Sequence, residues 1–382
     1  MLDGIRGLAI LLVMQYHFWG IVPGLFGRGG TSRLDVELGR LFGAGWCGVD
    51  LFFVLSGFLI TGILYDSRGS RSYFRDFYAK RVLRIFPVYY GFLAVLLFVL
   101  PHFPRLAANL QLEELRKVQV FFWTYSTNVF GSLARFSGQV PLVHSQFWSL
   151  AVEEQFYLVW PAVVLLCDDR RRLMTVCAAL VAAAFVLRSA LVLGGGFEVF
   201  DKAAPYNLTP CRIDTLATGG FVALLLRGER AAGERVARIA PYVGGVAVAV
   251  VLALYMTRDR LFPADGAVAT FGFSAFALLF GALVLRAVTA APGAPLYRLL
   301  SGRVLRTFGK YSYALYVVHL AVEFQLMMHI GGQFWLRPVA GSYVLTNAVF
   351  SAMCTAVSFA IAWSSWHLVE KRVLALKRYF EP

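Results

Sequence analysis

The apolar positions of this chain fall into blocks of roughly twenty residues, the length a helix needs to cross the hydrocarbon core of a bilayer. Ten blocks are read, over residues 4–26, 43–65, 85–101, 147–167, 173–194, 212–226, 239–257, 267–285, 311–330 and 344–366. The stretch 111–130 starts amphipathic and turns aromatic, as an interfacial or re-entrant piece would, with an eleventh span as the alternative. The expectation is all-α: a polytopic membrane helix bundle of about ten transmembrane helices, forming one integral-membrane domain over residues 1–382. The first block is a poor secretory signal, because Arg6 and His17 interrupt it and no small-residue cleavage site follows.

Composition agrees with that pattern. Of 382 residues 59% are hydrophobic and only 15% charged, against about a quarter charged in soluble domains. With the N-terminus inside, the segments 66–84, 168–172, 227–238, 286–310 and 367–382 carry 22 Lys and Arg, and the opposite segments carry 11. The two-to-one bias places both termini in the cytoplasm. The net charge of +14 is spread over alternate loops, so nucleic acid is not expected as a partner; anionic lipid and an anionic cofactor fit better. The five cysteines are scattered, with no CxxC spacing. Neither a metal site nor a disulfide framework is expected, and they read as small apolar packing residues. Arg outnumbers Lys 30 to 6, in keeping with a GC-rich bacterial source.

Charges inside spans are costly and mark function. Arg6 and His17 stand eleven residues apart in the first block, about three helical turns, so they share a face with an axial separation of roughly 16 Å. His17 reads as a functional imidazole or as a packing histidine bonded to a carbonyl. Arg6 reads as a ligand group or as a snorkelling edge arginine. In the second block Asp50 lies in the outer half. Ser56 and Gly57 follow near the middle, where they either line a channel or let helices pack closely. Ser56 is outside any GxSxG setting and is not proposed as a nucleophile. Glu153 and Glu154 are adjacent carboxylates in the fourth block, about 100° apart around the helix, which suggests different jobs. Arg81 and Arg84, i,i+3 on a helix, are either a topology signal or a phosphate site matched to guanidinium forks. His319 and Glu323, at i,i+4, are expected to form a local structural pair.

Several motifs then line up in order. They are Leu2-Asp3-Gly4-Ile5-Arg6-Gly7 with His17, Gly48-Val49-Asp50-Leu51-Phe52-Phe53-Val54-Leu55-Ser56-Gly57-Phe58-Leu59-Ile60, and Arg81-x-x-Arg84 followed by Ile85-Phe86-Pro87-Val88-Tyr89-Tyr90. Next come Phe147-Trp148-Ser149-Leu150-Ala151-Val152-Glu153-Glu154-Gln155-Phe156-Tyr157, with weaker echoes in Arg212-x-Asp214, Gly309-x-x-Ser312-Tyr313-x-Leu315-Tyr316-x-x-His319 and His367-x-x-Glu370. This ordered set resembles the acyltransferase-3 family of membrane O-acyltransferases. The resemblance implies a ten-helix domain in the bacterial inner membrane, with acyl-CoA, often acetyl-CoA, as donor and no metal. The implied acceptors are hydroxyls of surface polysaccharides, lipopolysaccharide, peptidoglycan, lipids or macrolide-type antibiotics. Many members carry a further hydrolase-like domain; because this chain ends just past the last block, a stand-alone form is expected.

Taken together, His17 is expected to act as general base on the acceptor hydroxyl. Glu153 or Glu154, with Asp50, would orient its ring and stabilise imidazolium, as a carboxylate does in a triad. Arg81, Arg84 and Arg6 would hold the CoA phosphates on the cytoplasmic side, with Ser56 and Gly57 along the path. The Arg6–His17 separation resembles the reach of an extended pantetheine arm. Two alternatives stay open: an acyl relay through His17, and a proton-coupled transporter or flippase of a glycan or lipid.

Overall fold

The structure, a computed structural model, describes residues 1–20, 32–136, 138–194, 200–228, 230–258, 260–329 and 337–380. Among them no strand forms, only two isolated bridges, Leu133 with Phe200 and Val339 with Ser342. The helices that build the bundle are α1 (Leu2–Gly20), α2 (Arg33–Gly43), α3 (Gly48–Asp66), α4 (Tyr73–Ala94), α5 (Leu112–Trp123) and α6 (Phe147–Leu166). They continue with α7 (Arg170–Leu193), α8 (Thr209–Leu225), α9 (Arg230–Thr257), α10 (Phe273–Thr289), α11 (Arg303–His329) and α12 (Val344–Ser365). Each of the ten apolar blocks holds one of these helices. Residues 21–26 of the first block and residue 330 of the ninth lie outside the described residues.

The stretch 111–130 is not one span. α5 has 12 residues, about 18 Å at 1.5 Å per residue, well short of the roughly 30 Å core. The chain then turns through Tyr125, at φ 49°, before a second short helix over Thr127–Ser132.

By length and apolar composition, seven helical runs among the described residues are able to cross a bilayer: Arg33–Asp66, Tyr73–His102, Leu142–Leu166, Arg170–Leu193, Arg238–Thr257, Val268–Thr289 and Val344–Phe380. The other three blocks, α1, α8 and α11, are the polar ones. They carry Arg6, Gln15 and His17; Arg212 and Asp214; and Lys310, His319 and Glu323. α8 is buried along almost its whole length, which is where an ionisable group in a bilayer belongs. The perimeter is the reverse. Leu158, Leu166, Val186, Val246 and Met256 are exposed, an arrangement that costs nothing against lipid tails.

Two close helix contacts position the site. α1 runs parallel to α11. A Cβ on Gly7 would fall 1.9 Å from the Leu305 carbonyl oxygen, and one on Gly309 would fall 1.7 Å from that of Asp3. α3 and α8 likewise run parallel. A Cβ on Gly57 would lie 1.9 Å from the Leu216 oxygen, and one on Gly219 would lie 1.9 Å from that of Val54. Only glycine permits such backbone contact, the device by which membrane helices gain dispersion energy without a hydrophobic drive.

Candidate active site

The parallel contact between α1 and α11 and the crossing of α3, α4 and α6 leave two cavities inside the bundle. The first, ≈ 120 Å³, takes Arg6 from α1, Ser56 from α3, Arg81 and Arg84 from α4, Glu153, Glu154 and Tyr157 from α6, and Tyr313 and Tyr316 from α11. Helical period explains the set. Arg81 and Arg84 are i,i+3, and Ser149, Glu153 and Tyr157 are successive i,i+4 positions. The two neighbouring glutamates both reach the cavity, although their directions differ.

Its polar groups are tied in part. Tyr157 Oη donates to Glu153 Oε1 at 3.2 Å, and the Ser56 hydroxyl lies 2.5 Å from the same phenol. Since the Tyr157 proton is spent on Glu153, Ser56 donates to Tyr157. Arg6 pairs with Asp3 at 3.0 Å and keeps about a third of its side chain exposed, 32%. Arg81 and Arg84 form no ion pair among the described residues. Arg81 Nε is buried with no hydrogen-bond partner, and its guanidinium stands 5.7 Å and 5.8 Å from the Phe77 and Tyr157 ring centres. Two guanidinium groups that share a cavity with Glu153 and Glu154 yet close no ion pair with them keep their forks free for a further anion.

The second cavity, ≈ 240 Å³, has His17 in its wall together with Tyr16, Trp46, Trp148, Tyr206 and Gln146. Thr127 also lines it. Val49 and Tyr316 belong to both cavities, so they form the partition. The Tyr316 hydroxyl is held by the Gln146 carbonyl at 3.1 Å and by Ser149.

Three expected contacts are replaced by others. His17 meets neither a glutamate nor Asp50: its Nδ1 lies 2.9 Å from the Val13 carbonyl oxygen and 3.2 Å from His319 Nε2. Asp50 pairs with Arg212, both fully buried, and lines neither cavity, because its face of α3 turns to α8 while Val49, Phe52 and Ser56 turn to the site. His319 does not bond Glu323; its Nδ1 donates to the Tyr316 carbonyl at 2.8 Å, and both Glu323 oxygens are buried without a hydrogen bond. Gly57 is not a wall residue either: it sits where α3 touches α8. Arg6 and His17, expected on one face, divide between the two cavities. Tyr157, Tyr313 and Tyr316 were not singled out from sequence as site residues. The signal was present, since each lies three or four residues from another cavity residue.

The fold and site therefore define an integral-membrane helical protein with two adjoining cavities among its helices, one lined by arginines and glutamates and the other by a histidine and aromatic rings. The chain belongs to the acyltransferase-3 family, whose model, described as an acyltransferase domain, matches residues 1–367. It is 28% identical to the "Putative peptidoglycan O-acetyltransferase YrhL" of Bacillus subtilis, over 97% of this chain and 54% of that one. It is 26% identical to the O-acetyltransferase OatA of Staphylococcus aureus, over 84% of this chain and 50% of that one. The peptidoglycan O-acetyltransferase OatA of Listeria monocytogenes is 26% identical over 84% of this chain and 49% of its own length. The chain thus spans about half the length of the curated relatives it matches. No solved structure matches it.

Proposed function

We propose that this protein is a membrane O-acyltransferase that moves an acyl group, acetyl by analogy with its relatives, from acyl-CoA to a hydroxyl of a carbohydrate acceptor. The observation that carries this is the adjacency of the two cavities: an arginine-lined one and a histidine-lined one meet at Val49 and Tyr316. In this reading Arg81 and Arg84, helped by Arg6, hold the donor phosphates. Glu153 and Glu154 set the charge around the arginines, and Ser56 lines the path. The thioester reaches past Tyr316, and His17 takes the acceptor proton from the second cavity. The acceptor oxygen bonds to the thioester carbonyl carbon, the C–S bond breaks, and the proton passes to the CoA sulfur. Asp50 and Gly57 we assign to holding α3 against α8.

The second cavity suits a sugar. Aromatic faces supply stacking area for its C–H surface. Thr127 Oγ1 and Gln146 Oε1 are buried with no partner, and such atoms each cost about 1–3 kcal/mol until a hydroxyl satisfies them. A cytoplasmic donor side and a position in the bacterial inner membrane with both termini inside complete the reading. It is tested with the full chain in proteoliposomes, given acetyl-CoA and a soluble oligosaccharide. Release of free CoA with matching acetylated sugar supports it. Acceptor movement across the membrane with no CoA release overturns it in favour of transport.

A further inference from the structure

Two imidazoles meet inside the bundle. His319 Nε2 lies 3.2 Å from His17 Nδ1, the ring centres are 4.9 Å apart, and His319 has no exposed surface. Three backbone carbonyls decide where the protons are. His319 Nδ1 faces the oxygens of Tyr316 at 2.8 Å and Leu315 at 3.2 Å. A carbonyl only accepts, so His319 Nδ1 carries hydrogen and its Nε2 presents a lone pair. His17 Nδ1 faces the Val13 oxygen at 2.9 Å and that lone pair, so it too carries hydrogen. The nitrogen of His17 left with a lone pair is Nε2. The reverse assignment would point bare nitrogens at all three carbonyls.

We propose that His319 is a positioning residue for His17. It shares the Nδ1–H of His17 with the Val13 carbonyl, and from outside α1 it fixes the direction of that ring so that Nε2 takes the acceptor proton. This rests on the reading of His17 as general base. His319 occupies the place a carboxylate holds in a hydrolase triad, but as a neutral acceptor. Glu323, one turn further along α11, makes no hydrogen bond to it. Close parallel packing of α1 on α11 through Gly7 and Gly309 sets the register that brings the two rings together.

The test compares His319→Leu, which removes the acceptor, with His319→Gln, which restores an acceptor oxygen near the same point. Full-length protein in nanodiscs is assayed for CoA release from acetyl-CoA, and variants are compared at equal folded amount by size exclusion. The Leu variant is expected to lose roughly 100-fold in kcat, the lower end of a general base's contribution, with KM for acetyl-CoA unchanged. The Gln variant should recover at least tenfold of that. A merely structural His319 would lower yield and leave kcat per folded molecule alone; a Leu variant within threefold of wild type overturns the proposal. A second readout does not depend on turnover: 15N spectra of histidine-labelled protein should show two buried imidazoles protonated at Nδ1, one lost in His319→Leu and the other in His17→Gln. A His319 protonated at Nε2 overturns the proposal. Normal turnover in His17→Gln overturns the general-base reading itself, and this inference with it. Loss in His17→Gln with none in His319→Leu overturns this inference alone.

Discussion

The Arg212 guanidinium on α8 and the Asp50 carboxylate on α3 form an ion pair with neither side chain exposed. Beside it Arg188 of α7 forms an ion pair with Asp214 at 2.8 Å, again with both buried, and the Arg212 guanidinium lies 4.3 Å from the Phe273 ring centre on α10. Two cations and two carboxylates cancel with none of the four side chains exposed, and four helices are joined by them.

Removing one charge should therefore be worse than removing two. Asp50→Asn leaves Arg212 without its counter-charge and should cost about 3–5 kcal/mol of stability. Asp50→Asn combined with Arg212→Gln should recover more than half. Denaturant or thermal unfolding in detergent measures both; a single variant within about 1 kcal/mol of wild type would show that the pair holds nothing.

Gly57→Ala should lower folded yield sharply, because its Cβ would overlap the Leu216 carbonyl, and overpacking a tight contact costs about 1–3 kcal/mol. Gly91→Ala on α4 meets nothing within 4 Å. It should be neutral or gain up to about 1 kcal/mol from helix propensity. Equal behaviour of the two in a thermal-shift assay would remove close packing as the reason for Gly57.

Replacing Arg81 and Arg84 together with Ala should raise KM for acyl-CoA at least tenfold and leave the acceptor KM nearly unchanged. Hydrogen bonds from a charged donor contribute about 1.5–3 kcal/mol each, and 1.4 kcal/mol is a factor of ten. Steady-state kinetics with each substrate varied separately decides this. Wild-type donor affinity in the double variant would reduce the pair to a topology signal.

His17→Gln should cut kcat by roughly 10²–10⁴-fold with the donor KM preserved, since an amide keeps a hydrogen bond but cannot take the proton. A near-normal rate would send the search for the base to His319 or to Glu153 and Glu154.

Membrane orientation is checked by cysteine labelling in intact cells. Single cysteines at the exposed positions Leu34 and Arg258 should react with an impermeant reagent, and one at Arg71 should not. Labelling at Arg71 would invert the topology and move the donor to the other face.

Helix positions were legible in the sequence because a bilayer imposes length and apolarity on each span separately. α6 and α12 begin at the residues the hydropathy blocks begin, and the two largest shifts, the start of α4 at Tyr73 instead of 85 and of α9 at Arg230 instead of 239, fall where charged residues hide a helix from a hydropathy reading. The Arg81–Arg84 pair was legible for a similar reason: i,i+3 spacing determines a shared face wherever the helix sits. Partners across helices were not. Asp50, Glu153 and His17 all fall at similar depth in their spans, and depth alone suggested one cluster. Which way each points depends on rotation about the helix axis, and neighbouring helices set that rotation.

By itself, then, the sequence determined an all-α membrane protein, its family, the helices and the groups able to hold an anion or move a proton. Tertiary structure alone decided that Asp50 turns to Arg212, that Gly57 is a contact and not a wall, and that His17 meets His319 across 302 positions of chain. The reason is that a helix's own period relates only residues on that helix. Contacts between helices follow from backbone approach at glycines such as Gly7 and Gly309, where a few ångströms of register choose which side chains meet.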